Sequence, residues 1–250
     1  MQRRSLITGL AALAGSLGVG RLLAQDGSRS AIGAGSCRLT TQDVTGPFHI
    51  DNYLERSNLI DGQKGVPLTL NFQVMDVMTC NPLPGAKVVI WHANNEGLYS
   101  GVENLMLNED GSASSDTIDL REETFHRGIQ TSDEHGRVQF VTSFPGWYFP
   151  RATHIHLKVY PPDFGEEATT QLYFGNEICD EVYAGEHYRH RGPNPTRPKP
   201  GDDSPIFSFE SGDLWLNVSK TESGYEATHE LGVVFYGKMF GELTDHYRQG

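Results

Sequence analysis

The chain has 250 residues, with 28 Gly, 13 Pro and 37% hydrophobic content. That loop-rich make-up suits one large all-β domain with a core ample for independent stability. A net charge of −12 argues against a nucleic-acid or anionic-membrane partner, since either would want a basic surface. The three cysteines, Cys37, Cys80 and Cys179, fit no zinc-motif spacing. An oxidising compartment would permit one disulfide among them and leave one thiol over, with the pairing open.

Arg3 and Arg4 precede an apolar run from Leu6 to about Gly20, too short to span a bilayer comfortably and ordered like an export signal. The Arg pair followed by Ser5-Leu6-Ile7 resembles a twin-arginine signal. The expectation is therefore an exported, periplasmic or extracellular protein without a stable membrane anchor. Residues 1–24 are read as the signal, with cleavage anywhere from Ala24 to Ala34, and residues 25–40 as a flexible linker. Loss of residues 1–24 removes Arg3, Arg4 and Arg21 and no acid, which takes the net charge to −15.

The folded part is expected over residues 41–234, entered through a Gly46-Pro47 turn. Residues 68–77 alternate, with Leu68, Leu70, Phe72 and Val74 on one face, and predict a strand. Residues 81–85 read as a turn, 86–92 as a second strand and 137–143 as a third. Residues 103–123 are polar and irregular and read as loop. Residues 169–174 predict a further strand, and 214–218 with 225–234 a closing hairpin. Residues 188–205, rich in Pro, Arg and Gly, read as a lid or a tether. No amphipathic helix stands out, so the pattern indicates a β-sandwich of mostly antiparallel strands. The aromatic-rich tail 235–250 reads as packing or an oligomer contact, which leaves a homo-oligomer open.

The central stretch runs from Pro145 to Val159 and ends in alternation. Thr153, Ile155, Leu157 and Val159 share one parity; His154, His156 and Lys158 share the other. Side chains two apart on a strand project from one face, so His154 and His156 can offer two imidazole nitrogens to one ion. Tyr148 lies six residues upstream of His154, with Pro150 bending the chain between them. A His-x-His pair alone is commonly a core feature, and zinc would be the default ion for it.

Five motifs in order narrow the choice: Val88-Val-Ile-Trp-His-Ala-Asn-Asn-Glu-Gly-Leu-Tyr-Ser100, Arg127-Gly-Ile-Gln-Thr131, Pro145-Gly-Trp-Tyr148, Arg151-Ala-Thr-His-Ile-His156 and Thr170-Gln-Leu-Tyr-Phe174. Together they resemble the intradiol ring-cleavage dioxygenases, and the exported branch of that family in particular. The resemblance implies a mononuclear non-haem Fe(III) held by Tyr99, Tyr148, His154 and His156. Two hard, anionic phenolates would favour the ferric ion, whose charge two phenolates and one hydroxide would cancel. It further implies a catechol-type diol and O2 as substrates, a cis,cis-muconate-type product, and Tyr148 as the ligand that gives way to the diol. By position Arg151 matches the family arginine beside the substrate ring, and Gln171 a supporting glutamine. Trp91 and Trp147 are read as packing around the site and His92 as structural. His126, His187 and His190 are read as solvated loop positions.

Two departures from the family stand out. Only five residues separate Tyr148 from His154, fewer than in the cytoplasmic members, which predicts a more open mouth. Ala93 stands where the exported branch often has Cys, so a partner for Cys80 is in doubt. Two other classes compete with the dioxygenase reading: a non-catalytic exported β-sandwich binding module, and a zinc hydrolase built on His154 and His156, which lacks a well-placed Glu base.

Overall fold

The structure, a computed structural model, describes residues 38–51, 54–107, 113–163, 165–197 and 213–235. The expected signal, most of the linker, residues 198–205 and the tail beyond Phe235 lie outside the described residues. Among the described residues, eleven strands, one α-helix and a short 3-10 helix (Arg189–Arg191) occur: β1 (Pro67–Asp76), β2 (Asn81–Pro82), β3 (Lys87–Trp91), β4 (Glu103–Leu107), β5 (Ala113–Asp119), β6 (Arg127–Thr131), β7 (Arg137–Ser143), β8 (His154–Tyr160), β9 (Ala168–Tyr173), α1 (Asn176–Tyr183), β10 (Asn217–Lys220) and β11 (Tyr225–Val233).

Strand β1 forms because every second residue is apolar: Leu68, Leu70, Phe72 and Val74 are all buried. Its first seven residues pair antiparallel with β7 on one edge, and all but Pro67 pair parallel with β11 on the other, from Leu68↔Tyr225 to Asp76↔Val233. Strands β10 and β2 complete this sheet. A second sheet runs β6-β3-β8-β9, antiparallel throughout. Between them the β1 residues meet Val138 and Phe140 of β7, Val88 and Ile90 of β3, Ile155, Leu157 and Val159 of β8, and Leu231 of β11 in one apolar core. The fold is the expected all-β sandwich.

The second sheet is buried on both faces. All seven residues of β8 are inaccessible, so its outward-facing parity is covered by loops rather than water. A smaller apolar cluster of Val89, Trp91, Tyr99, Ile129 and Tyr160 occupies that outer face.

Three expectations need correction. Residues 103–123 are not all loop: β4 and β5 pair as a separate two-stranded ribbon. Its side chains are largely solvated on both faces, so no polar/apolar alternation marks it. Helix α1 is present, burying Cys179, Val182 and Tyr183, the i, i+3, i+4 set of one helical face. Its eight residues carry too short an apolar stripe to register as periodic. Cys80 is disulfide-bonded and Cys179 is a free, buried thiol, so Ala93 does not leave Cys80 unpaired; Cys37 lies outside the described residues.

His126 is also not a solvated loop residue. It is fully buried, at a left-handed φ of 54°, and stacks on His92 at 4.5 Å. Its Nε2 lies 2.9 Å from Ser143 Oγ, while His92 Nε2 lies 2.8 Å from Thr142 Oγ1. Burial, with no neighbouring acid to offset it, holds the His92 imidazole down at about 4 and pushes His126 in the same direction. A histidine depressed in the folded state and ordinary in the unfolded one adds stability above pH 6.5 that disappears as pH falls toward 4. The urea midpoint should therefore fall continuously between pH 7 and pH 4, with His92 alone accounting for about 3 kcal/mol. A midpoint flat across that range would mean these imidazoles protonate inside the fold.

Candidate metal centre

Register assembles the site. Across the outer face of the second sheet, Arg127 of β6 pairs with Trp91 of β3, Trp91 with His156 of β8, and His156 with Gln171 of β9. Directly paired residues share a face and lie about 5 Å apart, so these four side chains form one row across four strands. Trp91 and His156 stack nearly parallel, with ring centroids 5.0 Å apart. The next row holds His154 against Tyr173.

Two loops bring tyrosines to this row. After β3 the chain turns through residues 94–98, held by Asn94 Oδ1, which accepts from the Glu96 and Leu98 amides. Tyr99 follows, its amide donating to Asn104 Oδ1 and its carbonyl accepting from Asn104 Nδ2, both at 2.8 Å. After β7 the chain passes Gly146, whose amide donates to Asn94 O at 2.9 Å, and reaches Tyr148. A turn closed by Arg151 N to Tyr148 O then returns it to β8; the Phe149–Pro150 peptide within that turn is cis.

The predicted ligands converge. Tyr99 Oη lies 3.5 Å from Tyr148 Oη and 3.4 Å from His154 Nε2, and Tyr148 Oη lies 3.3 Å from His154 Nε2. His156 Nε2 is 3.0 Å from His154 Nε2. The first three donors make a near-equilateral triangle whose centre is about 2 Å from each corner, a metal–nitrogen or metal–oxygen bond length. His154 Nδ1 donates to Ala152 O at 2.5 Å, which leaves its Nε2 lone pair facing the cluster. No group of three or more His, Cys, Asp or Glu suited to an ion occurs among the described residues, so a centre here depends on the phenols. Two hard phenol oxygens beside two imidazole nitrogens are a mixed donor set of a kind that suits a ferric ion.

Burial governs the protonation of all four donors. Burial pushes the Tyr99 hydroxyl well above the ordinary phenol range, with the neighbouring Tyr148 adding to it. Burial also raises Tyr148, partly offset by the Arg151 guanidinium. Burial and then Arg151 hold His154 neutral, and burial with His154 beside it does the same to His156. Three buried donors and the half-buried Tyr148 gathered in one cluster, with phenols that only a nearby positive charge would ionise, fit a resident metal ion.

Arg151 and Gln171 are also brought together, Arg151 Nη2 donating to Gln171 Oε1. Gln171 Nε2 donates to Val44 O at 2.7 Å, and Tyr173 Oη, 3.4 Å from Arg151 Nη2, donates to Asp43 Oδ2 at 2.9 Å. This draws in a segment that sequence reasoning had treated as an entry turn. Gly46, at φ 75°, abuts His156, and a Cβ there would lie 3.0 Å from His156 Cε1. Phe48 stacks on Tyr99 with centroids 4.2 Å apart, and His49 sits edge-on to Trp91. Arg127, noted only within a motif, donates through Nε to Ser100 O at 2.9 Å and fixes the backbone beside Tyr99. Asn104 was missed for lack of any local signal. For Gly46 and Phe48 the Gly-Pro-Phe run was legible, but what it would pack against was not.

Residues 188–197, the described part of the segment read as a lid or a tether, are docked on the fold and are not a loose tether. Trp147 Nε1 donates to Gly192 O at 3.0 Å, and Asn194 Nδ2 donates to Arg151 O at 3.1 Å, so this segment braces the chain around Tyr148. His190 is exposed and pairs with Glu96 at 2.8 Å; His187 is half-buried.

Fold and site together define an all-β sandwich with a two-tyrosine, two-histidine cluster on one sheet. A family model described as Dioxygenase matches residues 44–187, more than half the chain. The chain belongs to the intradiol dioxygenase family. It is similar to a solved intradiol ring-cleavage dioxygenase from Tetranychus urticae, with 26% identity over 79% of this chain and 95% of that one and a TM-score of 0.67. The dioxygenase domain of a carbohydrate-binding fusion protein from Streptomyces sp. SirexAA-E matches at 25% identity over 77% and 96%, with a TM-score of 0.53. A hydroxyquinol 1,2-dioxygenase from Pseudomonas putida DLL-E4 shares the fold at 19% identity over 78% and 66%, with a TM-score of 0.52.

Proposed function

We propose that this chain is a non-haem Fe(III) intradiol dioxygenase. It would hold the ion with Tyr99, Tyr148, His154 and His156 and cleave a catechol-type diol between its hydroxyl-bearing carbons with O2, giving a cis,cis-muconate-type product. The observation that carries the reading is the convergence of four donors, three of them buried, from β8 and two separate loops within 3.5 Å steps. Bound there, Fe(III) supplies the positive charge that ionises the phenols and the Lewis acidity that binds and activates the diol.

The chain's own residues divide the remaining work. Tyr99 is 1% exposed and caged by Phe48 and Asn104, so it is a fixed ligand. Tyr148 is half-buried and is the phenol an incoming diol can reach; its oxygen is placed to take a proton from that diol. The Arg151 guanidinium, held against Gln171, sets a fixed positive charge beside the site that favours developing negative charge on the substrate. Trp91 and Gly46 lock the His156 ring in plane.

Purified and iron-loaded protein should show a burgundy tyrosinate-to-iron absorption. It should also consume O2 on at least one member of a panel of catechol, hydroxyquinol, protocatechuate and bulkier diols. Stripping the iron with a chelator should bleach the colour and lower the melting temperature, since a ligand that binds only the folded state stabilises it. A colourless iron-loaded protein with no oxygen uptake would overturn the reading. Residues 1–24 are proposed as a twin-arginine export signal, which N-terminal sequencing of secreted protein would test.

A further inference from the structure

Both phenol-bearing loops touch one segment that contributes no donor to the centre. Asn95 Nδ2, in the Tyr99 loop, donates to His187 O at 3.0 Å, and Glu96 pairs with His190. On the other side Tyr188 Oη donates to Phe144 O at 2.7 Å, and Trp147 Nε1 donates to Gly192 O. At the meeting point Arg191 Nη1 donates to Trp147 O while its guanidinium lies over the Trp147 ring, 4.4 Å from the centroid. Gly97 closes the gap: a Cβ there would fall 2.3 Å from Trp147 O and 2.8 Å from Arg191 Nη1. Arg191 therefore packs against a residue one before Tyr148 and a residue two before Tyr99.

We infer that Arg191 is a positioning residue of the metal centre: it keys the Tyr99 and Tyr148 loops to each other and so sets the relation of the two phenol oxygens. This rests on the ferric reading above. A planar guanidinium suits the role because it can donate in its plane to a carbonyl while stacking its face on an indole. Lysine can reproduce the cation over the ring but not both contacts in one fixed geometry. The arrangement concerns where the oxygens sit, so it should register in the colour and in ion retention before it registers in folding.

The test compares iron-loaded wild type with Arg191→Met and Arg191→Lys. The readouts are the visible band, the rate of iron release to excess EDTA, and melting of the iron-free proteins. The Met variant should show a shifted band and release iron about tenfold faster, the usual scale for losing a support behind a metal ligand. Arg191→Lys should recover most of both. A Met variant with the wild-type band and release rate would overturn the role of Arg191 while leaving the ferric reading intact. So would lowered apo-protein melting with no spectral change, which marks a merely structural residue. Should Arg191→Met fail to fold, Trp147→Phe, which deletes the bond to Gly192 O and replaces the indole beneath Arg191 with a smaller ring, should shift the band in the same direction, and an unshifted band would overturn the proposal. Wild type that binds iron without any visible band would remove the ferric reading, and this inference with it.

Discussion

Tyr148→Phe should yield a folded protein that still takes up iron but is crippled in turnover, with kcat/KM down by at least about 100-fold and up to about 10,000-fold, the range for a lost proton acceptor. The substitution removes one oxygen and keeps the ring. Edge contacts of that ring with Phe48 at 5.9 Å and Tyr99 at 5.6 Å survive, so stability should change little. Three donors would remain: Tyr99, His154 and His156. Iron should therefore bind more weakly, and the visible band should change as one phenolate is lost. Steady-state oxygen uptake and a ferric titration separate the two effects. A variant that cleaved catechol at the normal rate would show that Tyr148 is not the group that receives the substrate.

Gly146→Ala should be among the most disruptive single methyls in the region. An added Cβ would lie 2.4 Å from Asn94 O and 2.5 Å from Asn95 O. Both are backbone atoms, so no side chain can swing aside. The Gly146 amide also donates to Asn94 O, and pushing the loops apart would stretch that bond. Overpacking of this kind costs about 3 kcal/mol, which for a domain of roughly 200 residues lowers the melting temperature by about 6–12 °C. The same displacement moves Tyr148 away from Tyr99, so iron affinity should fall with stability. Calorimetry on the iron-free and iron-loaded variant checks both. A melting temperature within 2 °C of wild type would mean that the loops separate freely.

The parts of this molecule legible in the sequence were those where one rule dominates. Period-two alternation found β1 and β8 because each has one consistently apolar side. It placed His154 and His156 on a common face for the same reason. Tyr99 and Tyr148 were found through motif resemblance, because no local rule says that two loops 49 residues apart in number will meet. The row Arg127, Trp91, His156 and Gln171 depends on register among four strands, which the turn chemistry of any one hairpin does not fix. Helix α1 and the β4–β5 ribbon escaped because one is a single short amphipathic stretch and the other buries neither face. His126 escaped because its burial is decided by its neighbour His92 and by Ser143, both distant in sequence.

The parallel pairing of β1 with β11 has a consequence for assembly. The strand that opens the sandwich has as its full-length neighbour the last strand of the described chain, in register from Leu68↔Tyr225 to Asp76↔Val233. A nascent polypeptide therefore cannot seal this sheet until residue 233 has left the ribosome. Contacts so far apart in sequence also make closure slow. Until then one long flank of β1 stays open, so the time between synthesis and completion is when this chain is most exposed to sticking to its own copies.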